Sequence, residues 1–319
     1  MNDTKLIYGV VVTYNRKNLL KECIESLMKQ SRKLDRIIIV DNASTDGTDK
    51  LIKELFGESS NLEYLRLNEN VGGSGGFYEG IKYAFNNSAD WIWIMDDDSE
   101  PKENCLENML EVLNLYKESD IGVICPLIQH QESEEYQWYH HKLLDKYLYN
   151  DLSIVKKHSE EELLSKRFIE IDSNAFVGPL INSDVIKICG LPEKDYFIWS
   201  DDLEYIYRLS RYSKCVLSTN SIIYHKDNNF DPSTGKLNND SIWKLYYGTR
   251  NRMLFVNKHQ KVTKYRYKYY YMQFCNAVKT FMILLIRKKA GTKSLIPLIG
   301  FWHGLNNRKG KVIEPFKLK

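Results

Sequence analysis

Four short runs of apolar and β-branched residues organise the first hundred positions, and each ends in polar or acidic residues. Lys5–Thr13 leads into Tyr14-Asn15, Arg36–Val40 into Asp41-Asn42, Leu62–Leu67 into Asn68 to Asn70, and Trp91–Met95 into Asp96-Asp97-Asp98. Near-continuous apolar runs of this length are the pattern of strands buried on both faces. Between them the period changes. Leu19, Leu20, Cys23, Ile24, Leu27 and Met28 recur at helical spacing, Leu51, Ile52 and Leu55 repeat it after Thr48, and a third helix is expected from about Phe77 to Phe85. Strand and helix alternating in this order predict an α/β fold, Rossmann-like, with a doubly wound, mostly parallel sheet. In such sheets a ligand sits at the carboxyl ends of the strands, so the four polar strand ends should converge on one crevice.

The alternation weakens after about residue 120. Ile121–Leu127 reads as a strand, and Gln129–Lys166 as a charged, aromatic, partly helical insertion. Strand character returns over Ile169–Ile181, a short helix follows over Val185–Cys189, Asp201–Tyr212 is helical, and Cys215–Tyr224 is a last strand ending at His225. From about Asp240 the pattern is helical to the end. The expected division is a catalytic domain over 1–235 and a helical, basic extension over 236–319. A chain of 319 residues with a 43% hydrophobic fraction has enough apolar side chain for a sizeable core. A net charge of +3 is too small to indicate nucleic acid, and no RNA-binding motif is present. The six cysteines form no CxxC pair, which speaks against a zinc knuckle and for reduced thiols. The N-terminus lacks the pattern of a secretory signal, and no stretch approaches the roughly 20 apolar residues that span a bilayer. A cytoplasmic chain is expected.

Several residue groups carry chemistry. Three adjacent carboxylates, Asp96, Asp97 and Asp98, gain little in a core and repel one another. Oxygen-rich clusters of this kind suit Mg²⁺ or Mn²⁺, although a solvated acidic turn reads the same way. Asp41 is placed to accept hydrogen bonds from a ribose or base, or to close an Asx turn. The glycine-rich run Asn70-Val71-Gly72-Gly73-Ser74-Gly75-Gly76 is expected as a loop opening a helix, where backbone can approach an anionic group. It matches neither a dinucleotide fingerprint nor a Walker loop. Trp199, Asp201 and Asp202 put an aromatic ring beside paired acids, the make-up of a sugar site and equally of a helix N-cap. His225 gains weight as a metal ligand from the carboxylate cluster. Arg250, in Tyr246–Arg252, is placed either to meet a diphosphate or to serve as surface charge.

Together these segments resemble the family-2 inverting glycosyltransferases of GT-A fold. The matching stretches are VVVTYNR at 10–16, IIIVDNASTDGT at 37–48, NVGGSGGFYEGI at 70–81, IWIMDDDSEP at 92–101, GLPEKDYFIWSDDLEYIYRLSR at 190–211 and YHKD at 224–227. They run in the family's order over roughly residues 5 to 230 and are most similar to its galactofuranosyltransferase and rhamnosyltransferase branch. The resemblance implies transfer of a sugar from a nucleotide-sugar donor to a hydroxyl of a glycan or lipid-linked saccharide, in cell-surface polysaccharide synthesis. UDP-galactofuranose is the first donor it points to and dTDP-rhamnose the second. It implies that Thr13 and Asp41 hold the uridine and that Asp96 lies near ribose and metal. Asp98 and His225 would ligate Mn²⁺ or Mg²⁺, and Asp202, with Asp201 beside it, would be the general base. Asn15, Asn70, Gly72, Gly73, Asp97, Trp199 and Arg250 complete the expected donor site. Here the acids follow Trp-Ser rather than Trp directly, and Asn174–Pro179 stands where a Trp-Trp-Gly segment is expected, so the base and the acceptor contacts stay open.

From Lys258 onward Glu314 is the only acid among many lysines and arginines, with Tyr265, Tyr267, Tyr269, Tyr270 and Tyr271 interleaved. The composition fits a solvated face packed on the domain, or a peripheral helix on an anionic membrane at the inner face of the cell membrane. Two other classes compete with the enzyme reading. A non-catalytic nucleotide- or carbohydrate-binding module has no need of Asp96, Asp98, Asp202 and His225 together. A nucleotidyltransferase would want a basic glycine-rich loop where VVVTYNRKNLL stands.

Overall fold

The computed structural model describes residues 5–137, 140–143, 159–226, 230–231, 236–237, 242–286 and 290–315. In chain order the strands are β1 (Ile7–Thr13), β2 (Arg36–Asp41), β3 (Leu62–Arg66), β4 (Trp91–Asp96), β5 (Ser99–Pro101), β6 (Ile121–His130), β7 (His141–Lys142), β8 (Phe168–Ile171), β9 (Ser173–Asn174), β10 (Val177–Asn182), β11 (Lys214–His225), β12 (Phe230–Asp231) and β13 (Lys236–Leu237). The helices are α1 (Lys17–Met28), α2 (Thr48–Phe56), α3 (Gly72–Asn86), α4 (Cys105–Leu110), α5 (Glu160–Ser165), α6 (Ser183–Cys189), α7 (Asp201–Ser210), α8 (Lys244–His259), α9 (Thr263–Ile286) and α10 (Ile296–Leu305). The chain separates into two compact units. One holds residues 1–143, 156–193 and 202–226, the other 144–155, 194–201 and 227–319. Residues 194–201, which the sequence reading leaves with the catalytic domain, therefore sort with the second unit. Much of the Gln129–Lys166 insertion lies outside the described residues.

The first unit is a nine-stranded sheet in the order β3-β2-β1-β4-β10-β6-β11-β5, with β8 also on β11. β3, β2, β1 and β4 run parallel, with Thr13 opposite Asp41, Val12 opposite Asp96 and Asp41 opposite Arg66. The four strand ends thus stop at one level, as the alternating pattern requires. β10 runs antiparallel to both β4 and β6, so the later half of the sheet is mixed. Alternate residues of β1 serve opposite faces: Ile7 and Val11 pack with Leu20, Ile24 and Leu27 of α1, while Val10 and Val12 pack with Phe77 and Ile81 of α3.

The glycine run is the main departure from the expected elements. It is not a loop before a helix at Phe77; α3 already begins at Gly72. The reason lies in packing. A Cβ on Gly76 would stand 2.5 Å from Val12 Cγ1, and one on Gly80 would stand 2.4 Å from Val10 Cγ1. α3 therefore lies closer to β1 than any side chain permits, and the glycines accept their low helix propensity for that approach. The second unit is built around α8, α9 and α10, with Phe197, Trp243, Tyr246 and Tyr247 packed with Ile296 in a largely aromatic core.

Candidate active site

The carboxylates following β4 are held by the ends of other strands. Asp97 is buried, and its Oδ2 accepts a 2.7 Å hydrogen bond from the Thr13 hydroxyl at the end of β1. Arg16, two residues past that strand, places Nη1 2.6 Å from Asp98 Oδ2 and 3.2 Å from Asp97 Oδ1. The sheet brings His225 in from the far end of the chain. β5 pairs with β11 so that Ser99 faces His225, and the Lys226 N–H donates to the Asp98 carbonyl at 3.1 Å. His225 Nε2 consequently lies 3.4 Å from Asp98 Oδ1.

The imidazole is oriented from its other side. His225 Nδ1 is 3.0 Å from Gln137 Oε1, an acceptor only, so Nδ1 carries a proton; Nε2 faces Asp98 and donates to it when the ring is protonated. His140 Nε2 lies 3.0 Å from the same oxygen, and its ring meets that of His225 edge-on at 5.2 Å. Burial pushes His140 well below the usual histidine range, and the neighbouring His225 adds to the effect.

Burial also governs the acids. It raises Asp96 well above the ordinary carboxylate value, and repulsion by Asp98 adds to it. It lifts Asp97 to about 7 against the pull of Arg16. Asp98 is buried too, but the hydrogen bond and charge of His225, together with Arg16, more than offset that and hold it well below the carboxylate range. Asp98 is thus the anion of the trio.

The donor set fits a hard divalent ion in part. Asp97 Oδ1 and Asp98 Oδ1 are buried and have only ion-pair contacts, to Arg16 at 3.2 Å and to His225 at 3.4 Å, and carboxylate oxygen with imidazole nitrogen suits Mn²⁺ or Mg²⁺. Asp98 and His225 come together as two potential ligands. Among the described residues no group of three or more His, Cys, Asp or Glu has metal-holding geometry.

The remaining expected donor residues divide into two kinds. Asp41 and Thr13 are committed to the protein. The Asp41 carboxylate accepts from the Ser44 N–H at 2.8 Å, from the Tyr64 hydroxyl, and from Arg66 at 3.0 Å. Both already have protein partners at the strand ends. Asn15 adopts a left-handed φ of 54°, and its side chain accepts from the Thr45 N–H at 2.7 Å. Asn70 closes an Asx turn just before α3 by accepting from the Gly72 N–H at 2.8 Å, and a Cβ on Gly73 would meet nothing within 4 Å. The space over Gly73 is open.

In the second unit Arg250 corrects an expectation. It is fully buried, and its guanidinium donates to the carbonyls of Gly310, Tyr196 and Asp195 and to Asn251 Oδ1. Burial lowers its pKa, and no part of it is open to a diphosphate. What it does is hold a strained segment. Phe197, Trp199 and Ser200 have φ values of 68°, 66° and 65°, a region that costs non-glycine residues about 1–3 kcal/mol each. Asn251 Nδ2 lies 2.7–2.9 Å from the carbonyls of Tyr196, Ile198 and Trp199 and fixes the same turn. The segment ends at Asp201, the buried first residue of α7; Asp202 follows, its Oδ1 accepting from the Leu203 N–H at 2.7 Å. Arg16, Gln137 and Asn251 were not singled out by the sequence. Arg16 lies inside the matched VVVTYNR segment, a usable signal, while Gln137 sits in the aperiodic insertion.

Comparison with known proteins gives this geometry a family. A model of glycosyl transferase family 2 matches residues 9–177, just over half of the chain. The chain belongs to glycosyl transferase family 2. It is therefore a glycosyltransferase by membership, and its α/β sheet is of the GT-A type. The galactofuranosyltransferase GlfT1 of Mycolicibacterium smegmatis is 28% identical over 214 residues, covering 66% of this chain and 67% of that one. The glycosyltransferase GlyG of Streptococcus pneumoniae is 24% identical over 178 residues, 55% of each chain. Among solved structures, S. aureus TarS 1-349 superposes with a TM-score of 0.58 at 13% identity, over 95% of this chain and 82% of that one. GalNAc-T7, solved with UDP, GalNAc and Mn²⁺, superposes with a TM-score of 0.56 at 14% identity, over 81% and 48%. At such identities these two likenesses concern the fold.

Proposed function

We propose that this family member transfers galactofuranose from UDP-galactofuranose to a hydroxyl of a glycan or lipid-linked saccharide, with inversion. The supporting observation is the meeting of Asp98 and His225 beside the polar ends of β1, β2 and β4. Asp98 stays anionic there, and His225 turns Nε2 toward it. The similarity to GlfT1 favours the galactofuranosyl donor over dTDP-rhamnose.

Asp98 and His225, assisted by Asp96, would hold Mn²⁺ or Mg²⁺, which neutralises the charge gathering on a departing diphosphate. Arg16 would add fixed positive charge beside the same group, and Asn15, Asn70, Gly72 and the open space over Gly73 would border the nucleotide. Trp199 would cover a sugar face. Asp202 would accept the acceptor's hydroxyl proton while that oxygen bonds to the anomeric carbon. The carbon–oxygen bond to the diphosphate breaks in the same displacement, and UDP leaves with the electron pair. No covalent intermediate is needed. Product strings of one or a few sugars are expected, from an enzyme acting at the inner face of the membrane.

The base assignment is tested with Asp202→Asn and Asp201→Asn, comparing UDP affinity with transfer rate. Asp202→Asn should bind UDP normally and lose transfer by roughly a hundredfold or more. Normal transfer by Asp202→Asn with loss in Asp201→Asn would move the role to Asp201. Competition between the two donors settles the sugar: preference for dTDP-rhamnose would overturn the galactofuranosyl reading.

A further inference from the structure

α9 carries two apolar stripes, and protein covers one of them. Its buried residues, Tyr269, Gln273, Ala277 and Leu284, lie on a single face. At about 100° per residue, Tyr267, Tyr271, Phe274, Val278, Met282 and Leu285 line up on roughly the opposite face. All six are exposed, Tyr271 at 72%. The patch continues onto α10. Phe274 meets Phe301 at 5.6 Å between ring centroids, and beside Phe301 the exposed Leu295, Ile299 and Trp302 repeat a helical spacing. Large apolar side chains at this density on a surface mark an interaction site.

Charge decides what covers it. Lys264 and Lys279 are exposed at the edge of the α9 stripe. Between residues 242 and 315 Glu314 is the only acid, and it is already paired with Lys311 at 3.0 Å. A second copy of this face would set cation against cation. An anionic surface has the complementary charge, and tyrosine with tryptophan suits the boundary between headgroup and acyl chain. Among the described residues no helix is long and apolar enough to cross a membrane, so the contact is shallow.

We propose that the α9–α10 face is a lipid-docking surface. Tyr271, Phe274, Val278 and Met282 enter the interface of an anionic bilayer, and Lys264 and Lys279 lie among the headgroups. This deepens the reading of a membrane-bound acceptor and rests on it only for its purpose. Binding is scored without any sugar donor, so failure of docking and failure of glycosyl transfer are told apart.

The test is flotation of the full chain with vesicles of phosphatidylcholine, with and without about a third phosphatidylglycerol. The expected result is flotation with the anionic vesicles alone, weakened by salt. Tyr271→Glu/Phe274→Glu/Val278→Glu should lower it by roughly tenfold or more. Lys264→Glu/Lys279→Glu should lower it and reduce the salt dependence. Cys275, exposed on α9, takes an environment-sensitive dye whose emission should shift to the blue on anionic vesicles, a readout that needs no stripe variant to fold. Absence of flotation, equal flotation of the stripe variant, or equal binding to neutral vesicles would overturn the proposal. So would a dimer in light scattering that the stripe variant dissolves while vesicles are ignored.

Discussion

The strand-end carboxylates and the lysines of α9 each concentrate one sign of charge, yet they are handled in opposite ways. Asp97 and Asp98 are buried, and the Thr13 hydroxyl, Arg16 and His225 hold them within 2.6–3.4 Å. Lys264 and Lys279 stand at the surface. Buried charge costs free energy unless the protein pairs it, and such sites become specific in geometry. Exposed charge is screened by salt, so its effects add up without fixed positions. Arg250 makes the contrast sharpest, because it belongs to the basic unit by sequence and to the buried kind by environment. Arg252, two positions on in the same helix, is exposed.

That pair of arginines offers the largest effect. Arg250→Ala should cost about 3–5 kcal/mol in denaturant unfolding of the second unit, since it orphans buried carbonyls and releases the Phe197–Ser200 turn. Arg252→Ala should change stability by no more than about 0.5 kcal/mol. An Arg250→Ala protein of normal stability with weakened UDP binding would restore the diphosphate role. Gly80→Ala should destabilise the first unit by about 1–3 kcal/mol, because its Cβ must displace Val10 and Val40. Gln137→Ala should lower Mn²⁺ affinity, measured by titration calorimetry, by roughly 10- to 100-fold with little change in melting temperature. An unchanged affinity would mean that nothing depends on the Gln137–His225 contact.

The smallest effect is on pH. Asp97 titrates at about 7 in the folded chain against 3.8 ordinarily. Between those values the folded state holds a proton that the unfolded state has lost, so the stabilisation is present at low pH and lost as pH rises toward 7. His140, half-buried and held below its usual range by desolvation, works the other way below about pH 6.5. The readout is therefore the difference between the chain and Asp97→Asn, whose melting temperature should fall less from pH 5 to 7.5, by a few degrees. Parallel curves would contradict the buried-acid account.

The parallel half of the sheet was legible because each buried strand announces itself locally, as in Ile37–Val40 or Trp91–Met95. The acid cluster was legible for the same reason: it closes such a strand. What failed depended on distant partners. The run at Gly72–Gly76 reads as a loop from propensity, and only Val10, Val12 and Val40 across the interface make it a helix. Arg250 reads as a ligand because the carbonyls that capture it, at Asp195, Tyr196 and Gly310, carry no mark in the sequence. Gln137 lies in a stretch without period, so nothing there linked it to a histidine 88 positions away. The second face of α9 was visible as composition, and only the buried Tyr269, Gln273 and Ala277 showed which side was left over.

The Asp98–His225 pair is proposed to support metal-assisted glycosyl transfer. The most direct measurement is release of UDP from UDP-galactofuranose with Mn²⁺ and a saccharide acceptor, comparing the chain with Asp98→Ala. The expected result is acceptor-dependent turnover that chelation abolishes and that Asp98→Ala lowers by roughly a thousandfold, with the fold intact by circular dichroism. Turnover by Asp98→Ala at the rate of the unaltered chain, or none from any nucleotide sugar by the unaltered chain, would contradict it.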